Sequence, residues 1–121
     1  MATVVHPKAF VSDYAKFGLG TVVMAGSVVN VDAVVGNACI INTGASVDHD
    51  CTLADGVHIS PGAHLSGNVT VGACSWVGVG AAVRQGIHIG ANVMVGAGAV
   101  VVKRVSDGQT VVGNPARLMS R

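Results

Sequence analysis

The side chains in this sequence best suited to chemistry are five histidines, His6, His49, His58, His64 and His88. Imidazole titrates near neutral pH, so each could move a proton, and in its neutral form each could bind a metal. His49 stands between two carboxylates in the run Asp48-His49-Asp50, and His58 follows nine residues later. A carboxylate beside an imidazole can fix its tautomer and stabilise its charged form. Four of the seven basic residues, Lys103, Arg104, Arg117 and Arg121, fall in the last 19 positions, where they could meet phosphates. Three cysteines, Cys39, Cys51 and Cys74, cannot all pair within one chain. Most polar surface residues carry out no chemistry, so the elements that position these groups decide which of them matter.

That positioning has a period of six. From Val5 onward every sixth residue is large and apolar, through Phe17, Ile41, Leu53, Ile59, Leu65 and Ile89 to Val101, seventeen positions without a miss. An amphipathic helix would alternate spacings of three and four, and a hairpin meander would place its turn signals further apart, after longer strands. Four residues after each large one stands a mostly small or branched residue, such as Ala33, Cys39, Ala45, Cys51, Ala63 and Ala81. Three residues after, twelve of the seventeen positions are Gly, Asn or Asp, which tolerate positive φ in a tight turn. Short strands joined by such turns can satisfy their backbone groups only from rungs above and below. The period therefore predicts a parallel β-helix, with Cys39 and Cys51 inside it as small apolar side chains.

Composition narrows the function classes. The chain has room for one domain at 121 residues, and half of them are apolar. With four aromatic residues and seventeen glycines, its core must be aliphatic and repetitive. A formal charge of +1 argues against a nucleic-acid partner. No apolar stretch approaches the ~18 residues of a membrane span, and the first ten residues lack the h-region of a secretory signal. The expectation is a soluble protein of the reducing cytoplasm, without a membrane partner.

With its six-residue period the sequence resembles the hexapeptide-repeat family, whose chains wind a left-handed parallel β-helix of triangular section with three repeats per coil. The resemblance implies an all-β fold of about 5.7 coils, with residues 1–106 as the β-helix acyltransferase domain and 107–121 as a C-terminal capping segment. The stretch INTGASVDHDCTLADGVHISPGAHLSGNVTVG, residues 41–72, is more specific, and it continues through VGVGAAV, IGANVMVGAGAVVVK and VVGNPAR. These segments resemble the sialic acid O-acetyltransferases and the bacterial enzymes that N-acetylate UDP-linked 4-amino sugars.

That resemblance implies transfer of an acetyl group from acetyl-CoA to an amine or hydroxyl of a nucleotide-linked sugar. It places the general base on His49 with Asp50, and acetyl-CoA binding on His58. Asp50 also occupies the turn column, where Asp is expected for backbone reasons alone. Pro61, Val79 and Ala97, each one coil from the next, would form a column lining the pantetheine arm, with Lys103 near its phosphate end. The family assembles as a homotrimer. Nine residues are half a coil, so His49 and His58 should leave opposite sides of one prism and meet only between subunits. Related acetyltransferases carry a preceding Rossmann-like nucleotide-sugar-binding domain, and the expectation here is a chain without it. No metal is expected, because zinc-dependent γ-class carbonic anhydrases of this fold need two histidines five residues apart and none here are. The alternative from another class is a non-catalytic trimeric scaffold, which fold alone does not exclude.

Overall fold

A computed structural model describes residues 2–119. The six-residue period becomes seventeen strands of two residues, from Val4–Val5 to Val100–Val101. Each pairs in parallel with the strand three repeats away, as in Val4↔Val22 and His58↔Trp76. Three sheets result, one per side of a left-handed β-helix of about six turns. The first contains Val4–Val5, Val22–Val23, Ile40–Ile41, His58–Ile59, Trp76–Val77 and Met94–Val95. The second contains Phe10–Val11, Val28–Val29, Ser46–Val47, His64–Leu65, Ala82–Val83 and Val100–Val101. The third contains Lys16–Phe17, Val34–Val35, Thr52–Leu53, Thr70–Val71 and His88–Ile89.

The second residue of each strand points inward and is buried from Val23 to Val101. Val5 is exposed, and Val11 and Phe17 are only half-buried, because among the described residues no coil packs beneath them. Each buried member of this column contributes about 1.5–3 kcal/mol gross, largely offset by the entropy of ordering the chain. The smaller inward column also carries polar atoms, and these bond outward to the coil above. Thr21 Oγ1 donates to Gly36 O at 2.7 Å, Ser27 Oγ to Asn42 O at 2.7 Å and Ser75 Oγ to Gly90 O at 2.6 Å. The thiols of Cys39 and Cys51 lie 3.1 and 3.2 Å from Ala54 O and Ser66 O. Among the described residues no buried side-chain polar atom lacks a partner.

The corners are set by backbone handedness. Every sixth residue from Gly20 to Gly98 has positive φ. Most are Gly, Asn or Asp, but Ala38 (φ 53°) and Cys74 (φ 60°) adopt the same conformation with an ordinary Cβ, at a cost of about 1–2 kcal/mol each. After Val101 the corner is shortened. Val105 bridges to Ile89, and Thr110 pairs with Met94, so each partner lies two positions nearer than a full coil. Thr110–Val112 thus extends the first sheet, and Arg117–Leu118 folds back antiparallel upon it.

The outward residues differ by side. The third sheet presents Lys16, Val34, Thr52, Thr70 and His88, whereas the first presents Val4, Val22, Ile40, His58, Trp76 and Met94. The corner energetics are testable. Ala38→Gly should raise the unfolding temperature, with a gain of up to about 1 kcal/mol, and Gly44→Ala (φ 67°) should lower it by a similar amount, although a Cβ at Gly44 would meet nothing within 4 Å. Thermal unfolding of the two variants checks this, and a gain from Gly44→Ala would contradict it.

Candidate functional site

His49 is carried by the corner between the second and third sheets, after Ser46–Val47 and before Thr52–Leu53. The two flanking carboxylates have separate tasks. Asp48 Oδ1 accepts the backbone N–H of His49 at 2.8 Å and the Nδ2 of Asn30, one coil below, at 3.1 Å. It therefore holds the corner. Asp50 sits at the positive-φ position (φ 60°), donates its own N–H to Val31 O at 3.1 Å, and places Oδ2 3.1 Å from His49 Nδ1. The backbone role and the pairing role of Asp50 thus coexist. His49 and Asp50 are 49% and 57% exposed at their side chains, so this pair adds little stability; its effect is orientation. With Nδ1 turned to the carboxylate, the Nε2 edge of the ring lies against Gly67, one coil above, and any Cβ there would collide with it.

His58 stands on the outer surface of the first sheet, directly between Ile40 and Trp76 in the adjacent strands. Its ring centroid is 4.2 Å from that of Trp76, with the planes tilted by 58°. Trp76 donates its indole N–H to the buried Ser60 Oγ at 2.8 Å, which anchors the indole beside the imidazole. Asn42, at the corner between the first and second sheets, brings Nδ2 to 3.1 Å from His58 Nε2. Burial pushes the His58 imidazole below its ordinary 6.5, which favours the neutral ring.

The two histidines are not brought together in one chain. His58 lies on the first sheet, and His49 lies on the corner where the other two sheets meet, across the prism. The column expected to line the pantetheine arm is divided from its expected phosphate end in the same way. Val79, 56% exposed, and Ala97 share the Pro61 corner between the first and second sheets. Lys103 follows Val100–Val101 of the second sheet and precedes Val105, so it belongs to the His49 corner. There it joins Arg104 and Arg117 around a pocket of about 280 Å³. A second pocket, of about 350 Å³, lies beside it among Gly108, Gln109, Thr110, Leu118 and Met119. Both are at the C-terminal end, and neither is lined by His49 or His58. Arg121 lies outside the described residues.

His6, His64 and His88 are exposed, and His64 Nδ1 is 2.6 Å from Ser46 Oγ in the strand below. Cys39, Cys51 and Cys74 are free thiols, and burial raises the pKa of the first two. No cluster of three potential metal ligands occurs among the described residues, and no helix there is long and apolar enough to cross a membrane. Sequence reasoning passed over Asn42, Gly67 and Trp76 as site residues. A step of one coil could have found two of them, since Gly67 is one coil from His49 and Trp76 one coil from His58.

No family model matches the chain, and no curated protein matches it. Solved structures do. The acetyltransferase domain of PglB from Neisseria gonorrhoeae, in complex with acetyl coenzyme A, is 51% identical over 97% of this chain and 57% of its own, with a TM-score of 0.96. A histidine-to-alanine variant of GDP-perosamine N-acetyltransferase from Caulobacter crescentus, in complex with CoA and GDP-perosamine, is 43% identical over 100% and 58%, with a TM-score of 0.99. WeeI from Acinetobacter baumannii is 32% identical over 93% and 56%, with a TM-score of 0.91. The chain spans little more than half the length of these proteins. Over nearly its whole length the chain has the hexapeptide-repeat β-helix fold of these acetyltransferases.

The depressed pKa of His58 links the site to stability. The unfolded chain takes up a proton here as pH falls through 6.5, but the folded chain resists until lower pH. The contribution is complete above 6.5 and is lost as pH falls through the folded pKa. His58→Gln should flatten this part of the acid dependence, measured as unfolding temperature against pH for the variant and its parent. Identical profiles would contradict the assignment.

Proposed function

We propose that this hexapeptide-repeat domain transfers the acetyl group of acetyl-CoA to the amine of a nucleotide-linked sugar, in a cleft between subunits of a homotrimer. The observation that carries the reading is the likeness to two acetyltransferases solved with acetyl-CoA, or with CoA and an amino-sugar nucleotide. The Caulobacter protein is an N-acetyltransferase, which favours an amine over a hydroxyl acceptor. Acetyl-CoA chemistry and three free thiols suit a reducing cytoplasm.

The step needs few parts. The amine lone pair attacks the thioester carbonyl carbon, the carbonyl oxygen gains charge, and the carbon–sulfur bond breaks to release the thiolate of CoA. His49 Nε2 takes the proton from the attacking nitrogen, and Asp50 on Nδ1 steadies the imidazolium that forms. The proton can then pass to the thiolate. His58 donates a hydrogen bond to the thioester carbonyl oxygen. Val79 and Ala97 line the pantetheine arm, and Lys103 meets the phosphates.

Opposed placement of His49 and His58 supports a site shared between chains, with each histidine from a different subunit. The same arrangement would let Lys103, on the His49 corner, complete a groove begun by Val79 and Ala97 of a neighbour. The apolar outward residues of the first sheet, Ile40, Trp76 and Met94 among them, suit such packing.

A panel of nucleotide-linked amino sugars with acetyl-CoA, read by free thiol, tests the activity; no turnover by the trimer with any acceptor would refute it. His49→Ala should lower turnover about 100-fold and leave acetyl-CoA affinity nearly unchanged, whereas His58→Ala should weaken acetyl-CoA binding. Refolding the two variants together should restore activity, because some clefts then receive both intact histidines. Lack of recovery in verified mixed trimers would overturn the shared site.

A further inference from the structure

We propose that Asn42 is a positioning residue that fixes the ring proton of His58 on Nδ1, leaving that nitrogen as a preset hydrogen-bond donor on the outside of the first sheet. The proposal deepens the reading of His58 as the group that meets the thioester, and its use in catalysis rests on that reading.

Thr43 donates its N–H to Asn42 Oδ1 at 2.8 Å. Rotating the amide by half a turn would set the Asn42 NH₂ against that N–H, donor against donor, so the carboxamide has one orientation. Nδ2 then faces His58 Nε2 at 3.1 Å. An amide NH₂ has no lone pair to offer, so Nε2 must accept, and a neutral ring must carry its proton on Nδ1. Among the described residues no other group competes for Nε2. The Trp76 indole N–H is committed to Ser60 Oγ, and Ile40 on the other side is apolar. The groups around the ring, Ile40, Asn42, Ser60 and Trp76, are all uncharged, and burial is the cause of its lowered pKa.

Nδ1 makes no hydrogen bond to a protein group among the described residues. A carbonyl oxygen can accept from Nδ1–H but is repelled by an Nδ1 lone pair. The preset tautomer therefore matters for a thioester: the wrong one turns a stabilising contact into a repulsive one without moving an atom of the ring. Because Nδ1 carries a proton in this neutral form and in the imidazolium, the donor is present whatever the charge of His58.

The test is Asn42→Asp, which keeps the shape and the acceptor for the Thr43 N–H but puts an oxygen where the NH₂ stood. That oxygen demands a proton on Nε2. In the parent, ¹⁵N–¹H correlation spectra should show neutral His58 as the Nδ1–H tautomer. In Asn42→Asp they should show the Nε2–H tautomer at high pH and an imidazolium that persists to higher pH than in the parent. Acetyl-CoA affinity, by calorimetry, should be nearly flat for the parent across the pH range in which imidazole titrates. In the variant it should fall about tenfold at high pH, the loss of roughly one hydrogen bond, and recover as acid restores Nδ1–H. Asn42→Ala, which removes the constraint, should show both tautomers.

An Nε2–H tautomer in the parent overturns the proposal outright, whatever the activity. So does an unaltered Nδ1–H tautomer in folded Asn42→Asp. If the tautomers switch as stated but the parent does not bind acetyl-CoA, the role of Asn42 stands and the reading of His58 as an acetyl-CoA ligand fails.

Discussion

Each two-residue strand depends on the coil above and the coil below. A strand that short has no stability alone, and its backbone groups find partners only in chain one full coil away. This parallel ladder is the constraint behind the rest of the structure. It turns a repeat in sequence into columns in space, and it sets side chains on neighbouring rungs about 4.8 Å apart. Both candidate histidines are held by such neighbours. Trp76 lies beside His58 because it occupies the next rung, and Gly67 leaves room for the His49 ring because it lies one coil above the same corner.

The ladder also limits what the corners can contain. A corner must turn the chain through positive φ and still satisfy its free N–H groups. Asn and Asp do both, which explains why functional candidates and structural residues coincide here. Asp50 has the backbone conformation of the glycines in its column while its carboxylate faces His49. Asn42 and Asp48 occupy equivalent positions on successive corners, and each accepts the N–H of the following residue. One then orients an imidazole with its remaining NH₂, and the other accepts from Asn30. A single local device has been put to two uses by what lies next to it.

A rigid prism separates its own functional groups. His58 projects from a flat side and His49 from the opposite corner, and no rotamer change bridges that span. The open pockets at the C-terminal end are lined by neither His49 nor His58. On the proposed reading, a second subunit supplies the other wall of the site.

Much of the fold was legible in the sequence because the period is strict. Seventeen apolar residues at intervals of six dictate which side chains point inward, and the Gly, Asn and Asp column marks the corners. For the candidate site the sequence offered residues rather than contacts. The resemblance singled out His49, Asp50 and His58, the register Val79 and Ala97, and the clustering of basic residues Lys103, and half a coil between the two histidines already implied opposite sides. What the period does not encode is side-chain orientation. The division of labour between Asp48 and Asp50 follows from which oxygen reaches a backbone N–H and which reaches an imidazole. The proton position on His58 follows from Asn42, which precedes it by slightly less than a full coil and so stands outside its column. The place of Lys103 was legible, since it lies three coils of 18 residues from His49; the shortened corner after it, which brings Val105 to Ile89, was not. Periodicity in the chain determines the columns, because backbone pairing is indifferent to most side chains; contacts across columns depend on hydrogen-bond directions that exist only once the coils are stacked.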